Sequence, residues 1–283
     1  MAAQCSWKEL APGVLVQSWE PFRLNVGLVL GHELALLIDT GASAEMGGEI
    51  VEQARSVTDL PLGAVNSHFH FDHCFGNAAL DGGVIWSHRL CAQHLRWEGA
   101  EQQRSVIAEL RTAQPQLAQQ VAASQIVTPE CVFEDRAELN LGERVILLVH
   151  PGRGHTDNDV AVWIEDARIL FTGDLAEEGA APSFEDSFPL EWPDALAVLL
   201  ALDPEQVVPG HGAVVDAGFL RRQYADLQQL AELCRDGFLK GRRPWEFDVE
   251  TAYPGQPALV AIRRAYDQLA SERSGAWVER QPG

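Results

Sequence analysis

The sequence predicts an α/β protein with two sheet-forming halves. Short apolar, β-branched runs alternate with longer amphipathic stretches in both halves of the chain, an order typical of strands and helices that share a sheet. Hydrophobic residues make up 46% of the 283 residues. That content suffices for a large buried core and excludes an intrinsically disordered chain or a small disulfide-stapled scaffold.

The first sixty residues predict antiparallel strands followed by a helix. The predicted strands cover residues 14–17, 26–30 and 34–38. A two-residue turn at Gly31 and His32 is expected to join the last two, because glycine tolerates positive φ. Ser43 predicts the N-cap of a helix that runs to about Val57.

Strands and helices continue to alternate along the rest of the chain. Further strands are predicted at residues 64–66, 84–86, 144–149, 160–164, 169–171 and 206–208. Further helices are predicted at residues 88–124, 193–202, 217–239 and 256–272. Pro115 is expected to break the first of these because proline lacks a backbone donor, whereas Pro193 suits a first helical turn.

The charge balance restricts the partners of the chain. It carries 21 basic and 41 acidic side chains, a formal net charge of −20. Nucleic acids and anionic membranes are bound through clustered Lys and Arg, so neither is expected as a partner. A small-molecule substrate is expected instead, and a homodimer is left open.

The expected location is the cytoplasm. The longest apolar run covers residues 195–202, too short for a transmembrane helix, and Met1 to Leu10 lack the apolar core of a signal peptide. The five cysteines are scattered and never form a CxxC pair, which favours free thiols over a disulfide framework. They are Cys5, Cys74, Cys91, Cys131 and Cys234.

Histidine and aspartate are concentrated in one short window. His68, His70, Asp72 and His73 all carry the imidazole or carboxylate groups that bind zinc. On a strand, His68 and His70 would face the same side, and a following turn could redirect the other two. The window can therefore offer ligands to two adjacent metals.

Three more candidate ligands are expected in loops that follow strands. They are His155, Asp174 and His211, each preceded directly by a glycine. Glycine lets the backbone turn tightly and brings the neighbouring side chain toward a shared point. The rim of a sheet is where α/β proteins place their chemistry.

With these motifs in this order, the chain resembles the metallo-β-lactamase-fold superfamily over about residues 10–215. The motifs are His-x-His-x-Asp-His, Gly-His, Thr-Gly-Asp and Pro-Gly-His-Gly, preceded by Asp39-Thr40-Gly41. The resemblance implies a four-layer αβ/βα sandwich of two mixed sheets with a dinuclear metal site at one edge. Residues 1–215 would form the metal-binding catalytic domain, and residues 216–283 a C-terminal helical extension packed on it.

The resemblance also implies a role for each ligand. His68, His70 and His155 would bind a first metal, Asp72, His73 and His211 a second, and Asp174 would bridge them. The expected cofactor is two Zn²⁺ per chain, with iron or manganese left open. A hydroxide shared by the metals would be the nucleophile. Asp72 would orient it or shuttle a proton.

The expected function is hydrolysis of a small ester, thioester, lactone or amide. Zinc β-lactamases usually carry Cys or Ser at the position of Asp174, whereas glyoxalase II and the lactonases have Asp, so the ligand set resembles the latter. Two alternatives stay open. One is a mononuclear-iron oxygenase of the persulfide dioxygenase type, and the other is a metal-binding protein without turnover.

The remaining polar and aromatic candidates have structural interpretations beside functional ones. His32, His88, His94 and His150 are expected not to be ligands, with His88 and His94 on a helix. Asp39 and Asp159 could each accept a hydrogen bond from a ligand N–H or be an ordinary turn residue, and the turn interpretation is favoured for Asp159. Trp19, Phe22, Phe184, Phe188 and Trp192 either wall the site or belong to the core. Residues 88–124 either form a lid or simply pack.

Overall fold

A computed structural model describes residues 6–247 and 250–278. Within these ranges the strands are β1 (Lys8–Ala11), β2 (Val14–Trp19), β3 (Leu24–Leu30), β4 (Ala35–Ile38), β5 (Leu62–Val65), β6 (Ile85–His88), β7 (Cys131–Phe133), β8 (Arg136–Asn140), β9 (Val145–Val149), β10 (Ala161–Ile164), β11 (Ile169–Glu177), β12 (Gln206–His211) and β13 (Val215–Asp216). The α-helices are α1 (Ala44–Arg55), α2 (Phe71–Cys74), α3 (Arg89–Trp97), α4 (Gly99–Ala113), α5 (Pro115–Ala123), α6 (Trp192–Leu200), α7 (Ala217–Leu239) and α8 (Gln256–Val278). Short 3-10 helices cover Phe75–Ala79, Glu165–Ala167 and Pro244–Glu246.

The strands form two mixed sheets that meet at one edge. The N-terminal sheet has the order β7-β6-β5-β4-β3-β2-β1, parallel from β4 to β7 and antiparallel from β1 to β4. The C-terminal sheet has the order β13-β12-β11-β10-β9-β8, in which β11 and β12 run parallel and the other neighbours antiparallel. Leu24 of β3 pairs with His211 of β12 and joins the sheets.

Three apolar cores separate four layers. The central strands β3, β4, β10 and β11 are buried on both faces, as expected where a sheet is covered on both sides. On β4, Leu36 and Ile38 face the core between the two sheets, while Leu37 faces the helices on the outer side of the N-terminal sheet. A third core lies between the C-terminal sheet and helices α6, α7 and α8. The predicted α/β sandwich of two mixed sheets with C-terminal helices is confirmed.

The C-terminal helices share the core of the second sheet. Asp216 caps α7 by accepting from the backbone N–H of Phe219, and Leu227 and Leu230 of α7 are buried together with Ala261 and Ile262 of α8. The predicted α7 matches the observed bounds, and α8 is six residues longer than predicted. The division of the chain at residue 215 stays a prediction.

The predicted two-residue turn between β3 and β4 is wrong. The connection covers residues 31–34, closed by a hydrogen bond from the Gly31 N–H to the Leu34 carbonyl at 3.0 Å. The Glu33 and Leu34 N–H groups both donate to the carbonyl of Leu141, in the turn between β8 and β9. Because residues 33 and 34 bond to Leu141 instead of closing a tight hairpin, the connection is longer than a two-residue turn.

The helical region after β6 contains one more break than expected. The break at Pro115 is confirmed, since α5 begins there, but α3 and α4 are also separated at Glu98. The prediction that His88 lies on a helix is wrong. His88 ends β6 and caps α3, its Nδ1 accepting from the Leu90 N–H at 3.3 Å.

Several short strands were not predicted. Strands β1, β7, β8 and β13 are each two to five residues long. Of these, β8 could have been predicted from the sequence, because polar and apolar residues alternate along Arg136–Asn140. In the structure, Ala137 and Leu139 face the core.

The described cysteines are free thiols. Cys74, Cys91 and Cys234 are buried and Cys131 is half-buried, whereas Cys5 lies outside the described residues. None of the helices in the described ranges combines the length and apolar character that a bilayer span requires.

Replacement of Ile146 on β9 tests the core between the sheets. Ile146 is fully buried, whereas its neighbour Val145 is 51% exposed. We expect Ile146→Ala to lower the free energy of unfolding by about 2–5 kcal/mol, because it leaves a cavity. The control, Val145→Ala, should cost at most about 0.5 kcal/mol. Urea denaturation measures both, and equal losses would contradict this packing.

Candidate metal centre

All seven predicted ligands come together at the edge where the two sheets meet. They form two groups, one of His68, His70, His155 and Asp174, and one of Asp72, His73 and His211. Within each group the ligand atoms lie within 4.8 Å of one another. The division into groups agrees with the implied roles, and their binding of metal stays a prediction.

The first group is a cluster of three imidazoles. The Nδ1 atom of His70 lies 3.1 Å from Nε2 of His68 and 3.0 Å from Nε2 of His155. Oδ2 of Asp174 lies 3.7 Å from both of these Nε2 atoms. His68 and His155 are fully buried, and His70 is half-buried.

The second group shares Asp174 with the first. Nε2 of His73 and Nε2 of His211 are 3.3 Å apart, and Oδ2 of Asp72 lies 3.3 Å from the latter. Oδ1 of Asp174 is 3.3 Å from Nε2 of His73, while its Oδ2 is 3.4 Å from Nε2 of His211. The carboxylate of Asp174 therefore lies between the two groups, as a bridging ligand would.

The local backbone differs from the prediction at four ligand positions. His68 and His70 do not lie on a strand, because β5 ends at Val65 and the chain turns before α2. Asp174 lies within β11 instead of after it, where the β11–β12 pairing shifts register between Gly173 and Glu177. His211 is the last residue of β12. Irregular pairing at the ends of these strands turns the ligands inward.

Each imidazole directs its outer ring nitrogen to a hydrogen-bond acceptor. Backbone carbonyls serve two of them, at 3.2 Å from His155 Nδ1 to Ser183 and at 3.0 Å from His211 Nδ1 to Phe22. His70 Nε2 donates to Oδ2 of Asp186 at 3.0 Å. When these rings are neutral, the outer nitrogens carry the proton and the inner nitrogens present lone pairs to the cluster.

Asp39 and Ser67 orient the other two imidazoles. His73 Nδ1 donates to Oδ2 of Asp39 at 2.7 Å. The hydroxyl of Ser67 also donates to Oδ2 of Asp39, which leaves its oxygen to accept from Nδ1 of His68 at 3.0 Å. Asp39 adopts φ 65°, a left-handed conformation that aspartate tolerates better than most residues. Of the two interpretations left open for Asp39, the structure thus favours the acceptor for an imidazole of the cluster.

The residues present fit a cation. Three unprotonated nitrogens face one another in the first group, and no residue in the described part of the chain places a donor between them, an arrangement that a cation stabilises and that repels without one. Oδ1 of Asp174 is buried and accepts no hydrogen bond from the described residues. A Cβ atom at Gly210 would lie 1.8 Å from this oxygen, so the chain leaves room for the carboxylate there.

The two groups differ in protonation. Burial and the charge of His73 hold the pKa of His68 well below its ordinary value, and burial lowers the pKa of His155 to about 4. At His211 burial opposes protonation, but the charge of Asp174 outweighs it and raises the pKa to about 9. Neutral imidazole is the form that binds metal. His68 and His155 in the first group are therefore neutral and can bind a metal ion directly. In the second group, a metal ion must displace the proton of His211.

The four histidines predicted to lie outside the centre do so. His150 Nδ1 donates to the carbonyl of Asp159, and its ring stacks on His88 with centroids 4.1 Å apart. His94 pairs with Asp157, and His32 pairs with Glu143. Asp159 itself accepts from the N–H and hydroxyl of Thr156, a contact within the loop that precedes β10.

The aromatic residues divide between core and rim. Phe184 and Trp192 are fully buried and belong to the core beneath α6 and α7, so the core interpretation holds for them. Trp192 still touches the centre from behind, because its ring centroid is 5.8 Å from that of His155. Phe22 is half-buried, and its ring centroid lies 5.6 Å from that of Phe71. Trp19 packs on the outer core of the N-terminal sheet, and Phe188 lies beside Arg153 and Arg264.

Sequence reasoning missed most of the acceptors that orient the ligands. Ser183 and Phe22 act through backbone carbonyls, which no residue type reveals. Asp186 lies 116 positions from its partner His70. No local motif signals such a pair, since the contact arises only when the fold is complete.

Comparison with known proteins supports the same family at the level of sequence and fold. Residues 19–211 match the sequence profile of the metallo-beta-lactamase superfamily. The Homo sapiens protein named acyl-coenzyme A thioesterase MBLAC2 is 27% identical over 175 residues, which cover 56% of this chain and 60% of that protein. The match thus spans less than two thirds of this relative's length.

Two β-lactamases are also similar. A metallo-beta-lactamase type 2 from Bacillus sp. (strain 170) is 26% identical over 207 residues, 69% of each chain. The solved metallo-beta-lactamase from Pontibacter korlensis superposes with a TM-score of 0.63 at 23% identity, over 80% of this chain and 99% of that one. The second likeness shows a shared fold.

Gly210→Ala tests the space around Asp174. The added methyl group would lie 1.8 Å from Oδ1 of Asp174, so the carboxylate must move away from both groups. We expect bound metal to fall by at least about tenfold, as when a ligand is misplaced. Gly48→Ala is the control, since a Cβ atom there meets nothing within 4 Å. Elemental analysis after dialysis measures both. Unchanged metal in Gly210→Ala would contradict the assignment.

Proposed function

Because the chain belongs to the metallo-beta-lactamase superfamily, we propose that it is a dinuclear-zinc hydrolase that acts on a small thioester or ester. The family resemblance read from the motifs is confirmed, and the hydrolytic activity belongs to the proposal. The number and identity of the metals and the substrate are also part of the proposal.

One observation carries the proposal. Five imidazoles have their outer nitrogens engaged by acceptors, so their inner nitrogens converge around Asp174 as the positions that a cation can occupy, in place of protons in the second group. A structural cluster of histidines would instead satisfy its inner nitrogens with donors. Imidazole and carboxylate ligands in two adjacent groups suit zinc, and two adjacent groups suit two ions.

The chain's own residues have distinct tasks in this reaction. When two zinc ions are bound, the chemistry they supply is Lewis acidity, which polarises a substrate carbonyl and lowers the pKa of water. Asp72 is the candidate proton acceptor, with Oδ2 3.3 Å from His211 Nε2 and a side chain that is 13% exposed. Asp174 keeps a negative charge between the groups, and Asp39 holds His73 in place.

A small thioester is the favoured substrate class. The human relative's name supports thioester hydrolysis, and the likeness to β-lactamases supports attack on a carbonyl more generally. The Asp at position 174, where zinc β-lactamases usually have Cys or Ser, argues against β-lactams as the main substrates. The net charge of −20 favours a small-molecule partner over a nucleic acid or an anionic membrane.

Metal analysis tests the cofactor. We expect about two zinc ions per chain in protein purified without chelator. Asp174→Asn should lose zinc and hydrolysis of a thioester by at least about a hundredfold, since it removes the charge shared by both groups. The exposed Asp81→Asn is the control and should behave as wild type.

Two other outcomes would favour the alternative functions. One iron per chain with oxygen consumption would favour the oxygenase alternative and overturn the hydrolase proposal. Full zinc occupancy without turnover on thioesters, esters, lactones and amides would favour a binding protein.

Asp72→Asn tests the proton acceptor. The amide keeps an oxygen ligand but cannot take a proton, so at saturating zinc kcat should fall about 100- to 10,000-fold with little change in KM. Steady-state kinetics at several zinc concentrations separates this effect from weaker metal binding. A kcat restored by zinc alone would assign Asp72 to metal binding only.

A further inference from the structure

Residues 183–191, hereafter the orienting segment, contact the first ligand group from outside. The carbonyl of Ser183 accepts from His155 Nδ1 at 3.2 Å, and the carboxylate of Asp186 accepts from His70 Nε2 at 3.0 Å. Two of the three imidazoles in the first group thus take their orientation from this segment. The second group is oriented elsewhere, by Asp39 and by the carbonyl of Phe22.

The C-terminal helices hold the orienting segment in place. On α8, Arg264 donates from Nη2 to the carbonyl of Asp186 and from Nε to that of Ser187, each at 3.0 Å. Arg235 of α7 donates to the carbonyl of Leu190 at 3.0 Å. These helices lie beyond residue 211, where the family match ends.

Gln268 adds a second attachment from α8. Its Oε1 accepts from the Leu190 N–H at 3.3 Å, and its Nε2 donates to Glu191 at 2.9 Å. Arg264 binds the backbone of Asp186 and not its side chain, which leaves the carboxylate for His70. The path from α8 to the first group is therefore a short chain of hydrogen bonds, each of normal length.

We infer that Asp186 is a positioning residue for the first metal-binding group, and that Arg264 on α8 holds it against His70. This inference rests on the proposed function, because it concerns affinity for the first metal. An acceptor on the outer nitrogen fixes the ring orientation and the tautomer, and its loss typically weakens metal binding about 10- to 100-fold. The second group, which the segment does not orient, should keep its affinity.

The side chain of Asp186 is 54% exposed, so its removal leaves no cavity and should not unfold the protein. Two substitutions at Asp186 separate the effect of its charge from the effect of its hydrogen bond to His70. Asp186→Asn keeps an oxygen that can accept from His70, whereas Asp186→Ala removes the acceptor. If orientation is the role, the asparagine variant should retain most of the affinity that the alanine variant loses.

The experiment uses the full chain, stripped of metal and titrated with Zn²⁺ against a competing chromophoric chelator. A His211→Ala background removes a ligand of the second group and reports on the first. A His155→Ala background does the converse. We expect Asp186→Ala to weaken zinc binding about 10- to 100-fold in the first background and to leave it unchanged in the second.

Two further variants complete the series. Arg264→Gln should weaken the first group in the same background, by a smaller factor, because the segment loses part of its attachment. Asp194→Asn is the matched control, since Asp194 is an exposed carboxylate of α6 that lies just after the segment. It should leave both affinities unchanged.

The outcomes separate this inference from the proposed function. Wild-type protein that binds two zinc ions, with Asp186→Ala equal to its parent in both backgrounds, would overturn the positioning role and leave the hydrolase proposal standing. Equal weakening in both backgrounds, with a lower melting temperature of the metal-free protein, would show a merely structural role and also overturn it. Wild-type protein that binds no zinc would overturn both.

Discussion

The geometry of the centre depends on the acceptors that take the outer N–H of each ligand imidazole. Without them, a neutral histidine could place its proton on the inner nitrogen and donate to a neighbour, and the cluster would become an ordinary hydrogen-bond network. With them, the inner nitrogens of His68, His70 and His155 meet as lone pairs only 3.0–3.1 Å apart. This arrangement is unfavourable by itself, so the surrounding fold must hold it rigidly.

The rigid frame comes from the junction of the two sheets. The sheets are joined through Leu24 and His211, and the buried side chain of Asn25 donates to the carbonyls of both Pro209 and Gly212. The end of β12 is therefore fixed from two sides, and His211 lies between these contacts. A buried amide that satisfies two carbonyls would be costly to leave unpaired, which gives the loop one defined conformation.

Sequence reasoning identified the seven residues of the two groups because their chemistry is local and unusual. Four ligand-type residues in six positions, and a glycine before each later ligand, are visible without a structure. The backbone at Asp174 and His211 could not be predicted, since the irregular β11–β12 pairing depends on both strands together. The same holds for the loop at residues 31–34, which is shaped by Leu141. Long-range contacts with no local pattern account for these errors.

The two ligand groups are held with different degrees of protection. Asp39, which orients the second group, is buried with its partner His73, so water cannot compete for that hydrogen bond. Asp186, which faces the first group, is more than half exposed and relies on helices near the end of the chain. Local opening begins where burial is low and backbone hydrogen bonds are exposed. The first group should therefore respond to the packing of α8, while His73 in the second group, which is buried with Asp39, should not.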